Sequence, residues 1–510
     1  MNIKKIGLIL ATAIVLVAAI IYGGTYGTVQ QIEIDNTAIQ LEIDGFKLKE
    51  VTVSQEEKIH SSDHTSIYKV RQGIFLAGTL KIVEKVIDNG DKVLFFEFIN
   101  ASGKQMDLPV TLTVKGTDRY DKFDMMAKAY VSTDEAYWGD VTTNVKGIYN
   151  VYTANDLTKS MLLSHNYVSK KVTEENDTGN VSKVRQLIEE NQFGEVEQLD
   201  GALVIPFSMK TTAKNDISES WMMISAEPLF ENESNATAYK EQSNAEQHSS
   251  IKWLTINGAM SKLHKDTEPA LENVYGRNVF NMANDAILER YQETEERFYY
   301  NLLVVLVNKL VEYKESGKQD AFVTEYTSGL LKEQYNIQAP YINAQENEVI
   351  HQFLYDTQVV LQDEALSSAM LDYADFLVAQ RARGNVIHTR NGYYITDYMA
   401  LRKNEEVKKS HASLKQIISK MNVLFEAYKV TNDEKYKKAA VSMLNGLEDL
   451  GDRWVNPATG EPWGQTTSTY EFSDSEDKLT QSEAMKTVEY LEELNITYKG
   501  VFNELVKTLQ

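Results

Sequence analysis

The segment HTRNGYYITDY, residues 388–398, combines phenol, imidazole, guanidinium and carboxylate groups around one Asn-Gly turn. Phenol and imidazole groups can act as general acids and bases, and a guanidinium group binds a carboxylate through two parallel hydrogen bonds. Between residues 380 and 403 Asp397 is the only acid among several arginines, although the whole chain has a net charge of −22. This basic island predicts a site for an acidic sugar, whose ring would stack on the tyrosines.

Two tyrosines of the segment, Tyr394 and Tyr398, carry phenol groups beside the arginines. A tyrosine can act as a base near neutral pH only if neighbouring positive charge lowers its pKa from about 10. The candidate substrate-binding residues of the island are Arg383, Arg390 and Tyr393. The alternative is structural, because the arginines could complement the dipole of the preceding helix and the tyrosines could form the strands of a small hairpin.

Two polar side chains of the next helix, His411 and Asn422, lie near its apolar stripe at helical spacing. Each needs a partner, because a buried unsatisfied polar group costs about 1–3 kcal/mol. If they line a cleft, His411 is a candidate catalytic residue and Asn422 a candidate substrate-binding residue. Otherwise both form hydrogen bonds within the core. Trp463, in the aromatic-rich loop 451–472, is a candidate for stacking on sugar, with packing against the helices as the alternative.

Composition disfavours several other kinds of site. The chain has no cysteine, and none of its eight histidines pairs with another at i, i+4 spacing on a predicted helix, so no metal site is predicted. No glycine-rich phosphate loop follows a strand, and we expect no cofactor. The negative net charge disfavours a nucleic-acid partner, because phosphate binding requires a basic surface.

The N-terminus contains an apolar run, residues 6–22, after Lys4 and Lys5. About 17–25 apolar residues can span a bilayer as a helix, and the basic flank should remain cytoplasmic. Residues 1–27 are therefore predicted to be a transmembrane signal-anchor. The protein would then be a single-pass protein of the cell membrane with its bulk extracellular. A cleaved signal peptide, with secretion of the rest, is the alternative.

The rest of the chain changes its hydrophobic period once. Residues 28–230 mostly alternate apolar and polar side chains, which predicts an antiparallel β domain, with one helix at residues 181–192. The pair Asn89-Gly90 predicts a tight hairpin between two of its strands. Residues 231–280 are polar and predict a loop and connector. Residues 281–510 repeat apolar residues at helical spacing. The predicted fold class is α+β multidomain, with a transmembrane anchor, a mainly antiparallel β domain and a C-terminal helical domain.

The helical part predicts paired amphipathic helices joined by short connections. Gly384 is expected to end one of these helices, and Asn432 is expected to cap the start of another. Such an αα-hairpin array can close into an (α/α) helical ring, or toroid, whose inner helices line a central cleft. An open solenoid has the same periodicity.

Residues 410–457, SHASLKQIISKMNVLFEAYKVTNDEKYKKAAVSMLNGLEDLGDRWVNP, resemble the C-terminal domain of D-glucuronyl C5-epimerases and their bacterial relatives. The resemblance rests on the opening His-Ala-Ser-Leu at His411, on the Met-Asn pair that ends at Asn422, and on the turn at residues 431–434. Residues 325–354 and the motif GYYITDY are similar to other segments of this family. The resemblance covers the helical part of the chain.

This resemblance implies a toroid domain that acts on uronic-acid polysaccharides. The reaction removes the C5 proton, α to the carboxylate, and returns a proton to the opposite face, and the same first step allows a lyase outcome. The resemblance thus implies an acid–base group on each face of the sugar, and Tyr394, Tyr398 and His411 are the candidate catalytic residues. An acidic polysaccharide is then the expected partner. Ser410 stands where the epimerases carry a tyrosine. The alternative is therefore a non-catalytic protein that binds glycan or assists cell-envelope assembly.

Overall fold

A computed structural model of the chain describes residues 30–34, 39–126, 140–175, 179, 181–245, 251–277, 279–317, 320–401, 406–475, 479–498 and 500–508. Antiparallel strands build the N-terminal part. They are β1 (Gln30–Ile34), β2 (Ile39–Ile43), β3 (Lys47–Lys58), β4 (Ser61–Gln72), β5 (Phe75–Ile87), β6 (Lys92–Asn100), β7 (Met106–Lys115), β8 (Arg119–Asp124), β9 (Gly147–Thr153), β10 (Asp156–Leu163), β11 (Asn166–Glu175), β12 (Val181–Asn191), β13 (Glu197–Leu199), β14 (Ala202–Thr211) and β15 (Asp216–Ser225).

Helices and short strands alternate in the rest of the chain. They are α1 (Glu233–Ala245), β16 (Trp253–Thr255), β17 (Gly258–Lys262), β18 (Thr267–Glu268), β19 (Val274–Arg277), α2 (Val279–Met282), α3 (Asp285–Thr294), α4 (Arg297–Gly317), β20 (Thr327–Ser328), α5 (Gly329–Tyr335), β21 (Tyr341–Asn343), α6 (Ala344–Leu361), α7 (Glu364–Arg383), β22 (Val386–His388), β23 (Tyr393–Ile395), β24 (Tyr398–Ala400), β25 (Ala412–Ser413), α8 (Leu414–Thr431), α9 (Glu434–Leu450), β26 (Trp463–Thr466), β27 (Phe472–Ser475), α10 (Leu479–Glu493) and α11 (Gly500–Thr508).

Two antiparallel sheets pack face to face in the N-terminal part. The smaller has the strand order β1-β2-β7-β14-β13. The larger runs β16-β17-β19-β12-β11-β15-β6-β5-β4-β3, and β10 pairs with β15 and leads to β9 and β8. Strand β6, KVLFFEFIN, is buried on both faces, because one face meets the smaller sheet and the other meets the helices. This explains why its sequence is continuously apolar instead of alternating.

The predicted hairpin at Asn89-Gly90 is confirmed. Strands β5 and β6 pair in antiparallel register from Val86, opposite Lys92, and Gly90 has a φ angle of +89°. An L-residue with a Cβ adopts that angle only with strain, so the glycine allows the tight turn.

The helix predicted at residues 181–192 is wrong, because this segment is strand β12. The pairing of β12 with β11 skips Ile188, so the alternation of faces reverses there. A β-bulge of this kind spaces the apolar residues by three and four, which imitates a helical period. Only pairing with β11 and β19 decides the conformation.

Helix α4 packs directly on the larger sheet. The side chains from Leu302 to Val307 are all fully buried, which is typical of a helix enclosed on every side. They belong to one hydrophobic cluster with Phe95 and Trp221 of the sheet and with residues of α6 and α7. The carboxamide of Asn308 accepts a hydrogen bond from the Ile59 amide at 3.0 Å and donates to the Ile59 carbonyl at 2.8 Å. Sheet and helices therefore share a core.

The later helices form successive antiparallel pairs, α6 with α7, α8 with α9, and α10 with α11. Helices α6, α8 and α10 lie side by side in one layer, and α7, α9 and α11 pack in a second layer. Gly384 ends α7 with a φ angle of +75°, as predicted. Asn432, expected to cap the start of α9, instead ends α8, and Asp433 caps α9.

The predicted fold class is wrong as a whole. The described residues are dominated by β-sheet, with a helical C-terminal part, and the two parts are joined by the shared core around α4. A separate β domain followed by an independent helical ring would require two separate cores. The segment 231–280, predicted to be a connector, contains α1 and strands of the larger sheet.

The predicted localisation as a single-pass membrane protein is also corrected. Within the ranges that the structure describes, no helix has the length and apolarity needed to cross a bilayer. Residues 6–22, on which the prediction depended, lie outside the described residues.

We predict that Asn308→Ala lowers the free energy of unfolding by about 2–4 kcal/mol. The substitution leaves the buried Ile59 amide without its side-chain partner and removes one of the hydrogen bonds to the Ile59 carbonyl, which still accepts from Ser61 Oγ. Urea denaturation of the two proteins measures the difference. Gln55→Ala, on the exposed strand β3, is the control and should change stability by less than about 0.5 kcal/mol. Equal stability of the two variants would show that α4 does not depend on this contact.

Candidate functional site

The segment 388–398 is a small hairpin that packs on α9. Strands β22 and β23 pair around the Asn391-Gly392 turn, and Asp449 of α9 accepts hydrogen bonds from Thr389 Oγ1 at 2.7 Å and Asn391 Nδ2 at 2.6 Å. A Cβ on Gly392 would overlap the backbone of α9 at Gly446. The turn residues are thus required by close packing.

Tyr393 and Tyr394 are both buried in the helical core. The Tyr394 hydroxyl donates to the Gly446 carbonyl and accepts from Trp454 Nε1 at 3.2 Å. Burial raises the pKa of Tyr394 far above its ordinary value, against the effect of the Trp454 hydrogen bond. Burial also raises the pKa of Tyr393, against the opposing charge of Arg381. The lowered pKa that proton abstraction requires is absent from both, and we assign neither a catalytic role.

The predicted arginines lie at the surface. Arg383 is 4.0 Å from Asp320 Oδ2 and lies over the Phe376 ring at 5.4 Å. Arg390 is exposed at the turn. Neither reaches the cleft described below, and Arg402, another member of the basic island, lies outside the described residues.

Tyr398 and His411 are brought together. Their rings meet edge to face with centroids 5.7 Å apart, and His411 Nδ1 lies 2.8 Å from the Tyr335 hydroxyl. Burial raises the pKa of Tyr398, and the charge of Asp397 raises it further. His411 Nε2 is 3.6 Å from Asp397 Oδ2. This group lies behind the cleft, and Asp397 connects it to the side chains that line the cleft.

Asp397 holds a buried lysine. Lys420 of α8 is fully buried, and its Nζ is 2.8 Å from Asp397 Oδ1 and 3.8 Å from Glu348 Oε1 of α6. Asp397 Oδ2 also accepts a hydrogen bond from the Ser413 amide at 2.8 Å. Because one carboxylate already neutralises Lys420 at short distance, the second carboxyl, Glu348, is not needed as a counter-ion.

A cleft of about 320 Å³ opens between α6, α8 and α10, beside the start of α3. Its polar lining consists of amides, hydroxyls, carboxyls and one lysine: Asp285, Gln345, Glu348, Gln352, Lys415, Gln416, Ser419, Asn422, Ser482 and Glu483. Val349 and Val423 supply apolar surface. Groups that both donate and accept hydrogen bonds dominate this cleft.

Glu348 is the most unusual group of the cleft. It is buried, and neither of its carboxyl oxygens has a hydrogen-bond partner among the described residues. Burial raises the pKa of Glu348 well above its ordinary value, against the charge of Lys420, and Asp397 and Glu483 raise it further. Burial therefore favours the protonated form of this carboxyl, and a protonated carboxyl can donate a proton to a ligand.

Two more carboxyl groups line the cleft. Burial, with the charges of Asp356 and Glu289, raises the pKa of Asp285 to about 6. Glu483 Oε2 accepts a hydrogen bond from Asn422 Nδ2 at 2.8 Å. The Oδ1 atom of Asn422 accepts a second hydrogen bond, from Thr487 Oγ1 at 2.6 Å. Asn422 thus lines the cleft, and its hydrogen bonds also join α8 to α10.

Beneath the cleft, Glu426 of α8 joins the three helices that line it. It is 2.9 Å from His351 Nε2 of α6, 2.6 Å from Lys486 Nζ of α10 and 2.8 Å from the Tyr490 hydroxyl of α10. Burial alone would raise the pKa of Glu426, but the contacts with His351 and Lys486 lower this pKa to about 2. We call this group the Glu426 clamp.

Trp463 lies on β26 and packs against the helical core from its edge, outside the cleft lining. No group of three metal-ligating side chains occurs in the part of the chain that the structure describes.

Sequence reasoning missed Glu348, Lys420 and Glu483. A usable indication was present, because Glu348 and Lys420 are charged residues at buried positions of amphipathic helices. A charged side chain at such a position is seldom buried unless it is paired or functional.

The sequence matches no protein-family model and no curated protein. Among solved structures it aligns with the cellobiose 2-epimerase of Bacillus thermoamylovorans at 14% identity and a TM-score of 0.37, covering 53% of this chain and 66% of that chain. It aligns with a family 76 glycoside hydrolase from a bovine Bacteroides thetaiotaomicron strain at 10% identity and a TM-score of 0.36, covering 82% and 75%.

An inactive variant of an α-1,6-mannanase from a Salegentibacter species, in complex with α-1,6-mannotriose, aligns at 13% identity and a TM-score of 0.34, covering 54% of this chain and 68% of that chain. All three proteins are enzymes that act on sugars. With TM-scores below 0.5, these alignments assign neither a fold nor an activity to this chain.

We predict that Glu426→Gln lowers the free energy of unfolding by about 2–4 kcal/mol at pH 7, because Lys486 loses its counter-ion and the hydrogen bonds to His351 and Tyr490 lose a charged partner. The clamp contributes stability above the unfolded pKa of about 4.3 and loses it as pH falls towards 2, because the folded pKa is depressed. Urea unfolding between pH 7 and pH 3 should therefore show a smaller acid dependence in the variant.

The control for this substitution is Glu493→Gln, whose carboxylate forms an exposed pair with Lys429 at 2.7 Å. It should change stability by less than about 0.5 kcal/mol. An acid dependence that is the same in Glu426→Gln and in the unmodified protein would contradict the assignment of the clamp.

Proposed function

We propose that the chain is an acid–base enzyme that acts on a saccharide bound in the cleft between α6, α8 and α10, with Glu348 as the proton donor. The observation that carries this proposal is the buried Glu348 carboxyl, which lines the cleft and has no hydrogen-bond partner among the described residues. A protonated carboxyl facing a ligand cleft is the arrangement that general-acid catalysis requires.

The chemistry of the cleft lining supports a saccharide as the ligand. Sugar hydroxyls donate and accept hydrogen bonds at the same time, and the lining supplies both kinds of partner through Gln345, Gln352, Gln416 and two serines. The Gln416 Oε1 atom is buried and has no partner of its own within the described residues, so it is available to accept from a hydroxyl. A predominantly apolar ligand would leave these groups desolvated and unpaired, which is costly.

Two carboxyl groups of the cleft, Glu348 and Glu483, act as the acid and the base in this proposal. Glu348, whose protonated form is favoured by burial, provides the proton. Glu483 lines the cleft, accepts a hydrogen bond from Asn422 and is the candidate base. Lys420 and Asp397 are positioning residues, because they fix the charge beside Glu348 without lining the cleft.

A uronic-acid substrate is the more specific form of the proposal. Removal of a C5 proton next to a carboxylate needs a cation for that carboxylate and an acid–base group on each face of the ring. Lys415 lines the cleft and is the cation that supports this assignment. The same first step leads to C5 epimerisation when a proton returns from the opposite face, and to a lyase product when a leaving group departs.

The other site residues predicted from the sequence remain predictions, but the roles that we propose for them change. His411 and Tyr398 lie behind Asp397 and would act through it. Arg390, Arg383 and Trp463 would contact only those parts of a long acidic glycan that extend beyond the cleft. A non-catalytic glycan-binding protein, the alternative reading of the sequence, predicts binding in the cleft without turnover.

We predict that Glu348→Gln reduces turnover by about 10²–10⁴-fold, the usual contribution of a general acid, while saccharide binding changes little. Neutral and uronic-acid oligosaccharides would be incubated in deuterated water and followed by three readouts: new reducing ends, absorbance of an unsaturated product, and deuterium at C5 by NMR. The three readouts separate hydrolysis, elimination and epimerisation.

The matched control is Glu333→Gln, an exposed carboxyl on α5 that should leave turnover unchanged. Full activity in Glu348→Gln would remove Glu348 from the mechanism. Tight binding by the unmodified protein, with no product in any readout, would establish the non-catalytic alternative.

Lys415→Gln tests the uronic-acid assignment. We predict that it weakens binding of a uronic-acid oligosaccharide about tenfold, because a charge-assisted hydrogen bond of about 1.5–3 kcal/mol becomes a neutral one, and leaves binding of the matching neutral sugar unchanged. Isothermal titration of the two sugars measures both values. Equal losses for both would show that Lys415 does not recognise a carboxylate.

A further inference from the structure

The turn between β4 and β5 exposes three consecutive large apolar side chains. Ile74 is 81% exposed, Phe75 73% and Leu76 40%, and Gly73, at a φ angle of +61°, makes the turn. None of the three belongs to a described hydrophobic cluster. Contiguous apolar surface at the tip of a hairpin indicates a contact surface, because such groups are otherwise buried.

A block of four cations lies directly behind this tip. Lys47 of β3 is opposite Arg71 of β4, and Lys49 is opposite Lys69, so all four share one face of the sheet. All are exposed, and within the described residues none forms an ion pair. Like charges placed directly opposite each other destabilise a sheet. The arrangement is therefore explained by an external anion and not by stability.

The backbone connects the cations to the apolar tip. Arg71 Nη1 donates to the Ile74 carbonyl at 3.1 Å, so the charge lies at the base of the tip. The buried residues Leu48 and Val70, which alternate with the cations, hold the block against the smaller sheet. The tip and the block are thus fixed relative to each other by a two-stranded pairing.

Two neighbouring turns add lysines at the same end of the sheet. The Ala101 amide bonds to the Ala77 carbonyl, which places the β6–β7 turn with Lys104 next to β5. The Asn215 amide bonds to the Asn100 carbonyl, which brings the β14–β15 turn, with Lys214, to the same end. Both lysines are exposed. This end of the sheet is basic in a chain of net charge −22.

We propose that this end of the larger sheet is a docking surface for a bilayer rich in acidic lipids, with the Ile74–Leu76 tip entering the headgroup layer. The pairing of an apolar tip with a cation block behind it matches a surface whose interior is apolar and whose headgroups carry negative charge. A soluble anionic polymer would satisfy the cations and leave the three apolar side chains in water. The surface requires no membrane-spanning segment and is independent of the function proposed for the cleft.

The absence of cysteine from the chain makes a direct test available. Phe75→Cys in the full-length protein, labelled with an environment-sensitive fluorophore, reports the surroundings of the tip alone, whichever other segment touches a vesicle. We expect a blue shift on vesicles of phosphatidylserine and phosphatidylcholine, and little shift on phosphatidylcholine alone. Removing two cations, Lys49→Gln with Lys69→Gln, should weaken the vesicle-dependent response about 30-fold, since each cation near an anionic surface contributes about fivefold.

The control is the same label at Val359→Cys, an exposed apolar position of α6 on another part of the molecule, which should not shift. Absence of a shift at position 75 on anionic vesicles would overturn the proposal. A shift produced equally by a soluble polyanion without vesicles would also overturn it, and would assign the surface to an anionic polymer.

Discussion

The cleft depends on one buried carboxylate, Glu426, which joins the three helices that form its walls. Each of these helices contributes a partner or the carboxylate itself, so none can shift without breaking a charged contact in a dry environment. A buried ion network of this kind is weak evidence of net stability, but it fixes one arrangement, because alternatives leave a charge unpaired. The relative placement of α6, α8 and α10 follows from it.

A second buried ion pair decides the chemistry above the clamp. Asp397 is the counter-ion of Lys420, so Glu348 is not required in that role. Because Glu348 is also buried, its uncharged form is favoured. The same carboxyl beside an unpaired lysine would be ionised and could only accept protons. The hairpin 388–398 therefore contributes to the cleft indirectly, because it places Asp397 beside Lys420. Its tyrosine Tyr394 binds the hairpin to α9.

The local features of the fold were predictable where one residue type controls the backbone. Asn89-Gly90 and Gly384 ended their elements as expected, because positive φ angles favour glycine. The conformation of the segment 181–192 was not predictable, because a single extra residue, Ile188, changes the apparent period of its apolar residues. The joining of sheet and helices was also missed, since a buried helix such as α4 does not show in its sequence which surface it meets.

The candidate site was predicted only in part for a related reason. Asn422 was a substrate-binding candidate because of its helical spacing, and Asp397 was noticed as the only acid of a basic island. Glu348 was not chosen among 74 acidic residues, although its position on the buried face of α6 could have indicated it. The tyrosines were given a role that depends on a lowered pKa, and burial moves that pKa in the opposite direction.

The sequence alone determined the turns and helix ends that depend on glycine, the absence of cysteine and the types of polar groups that were available. Only the tertiary structure decided which of these groups meet. Glu348 and Lys420 are 72 positions apart in the sequence (420 − 348), and Lys420 and Asp397 are 23 positions apart (420 − 397). Nothing in their local sequence brings these residues together. Charge state follows from desolvation and from neighbouring charges, and both arise only when distant segments pack.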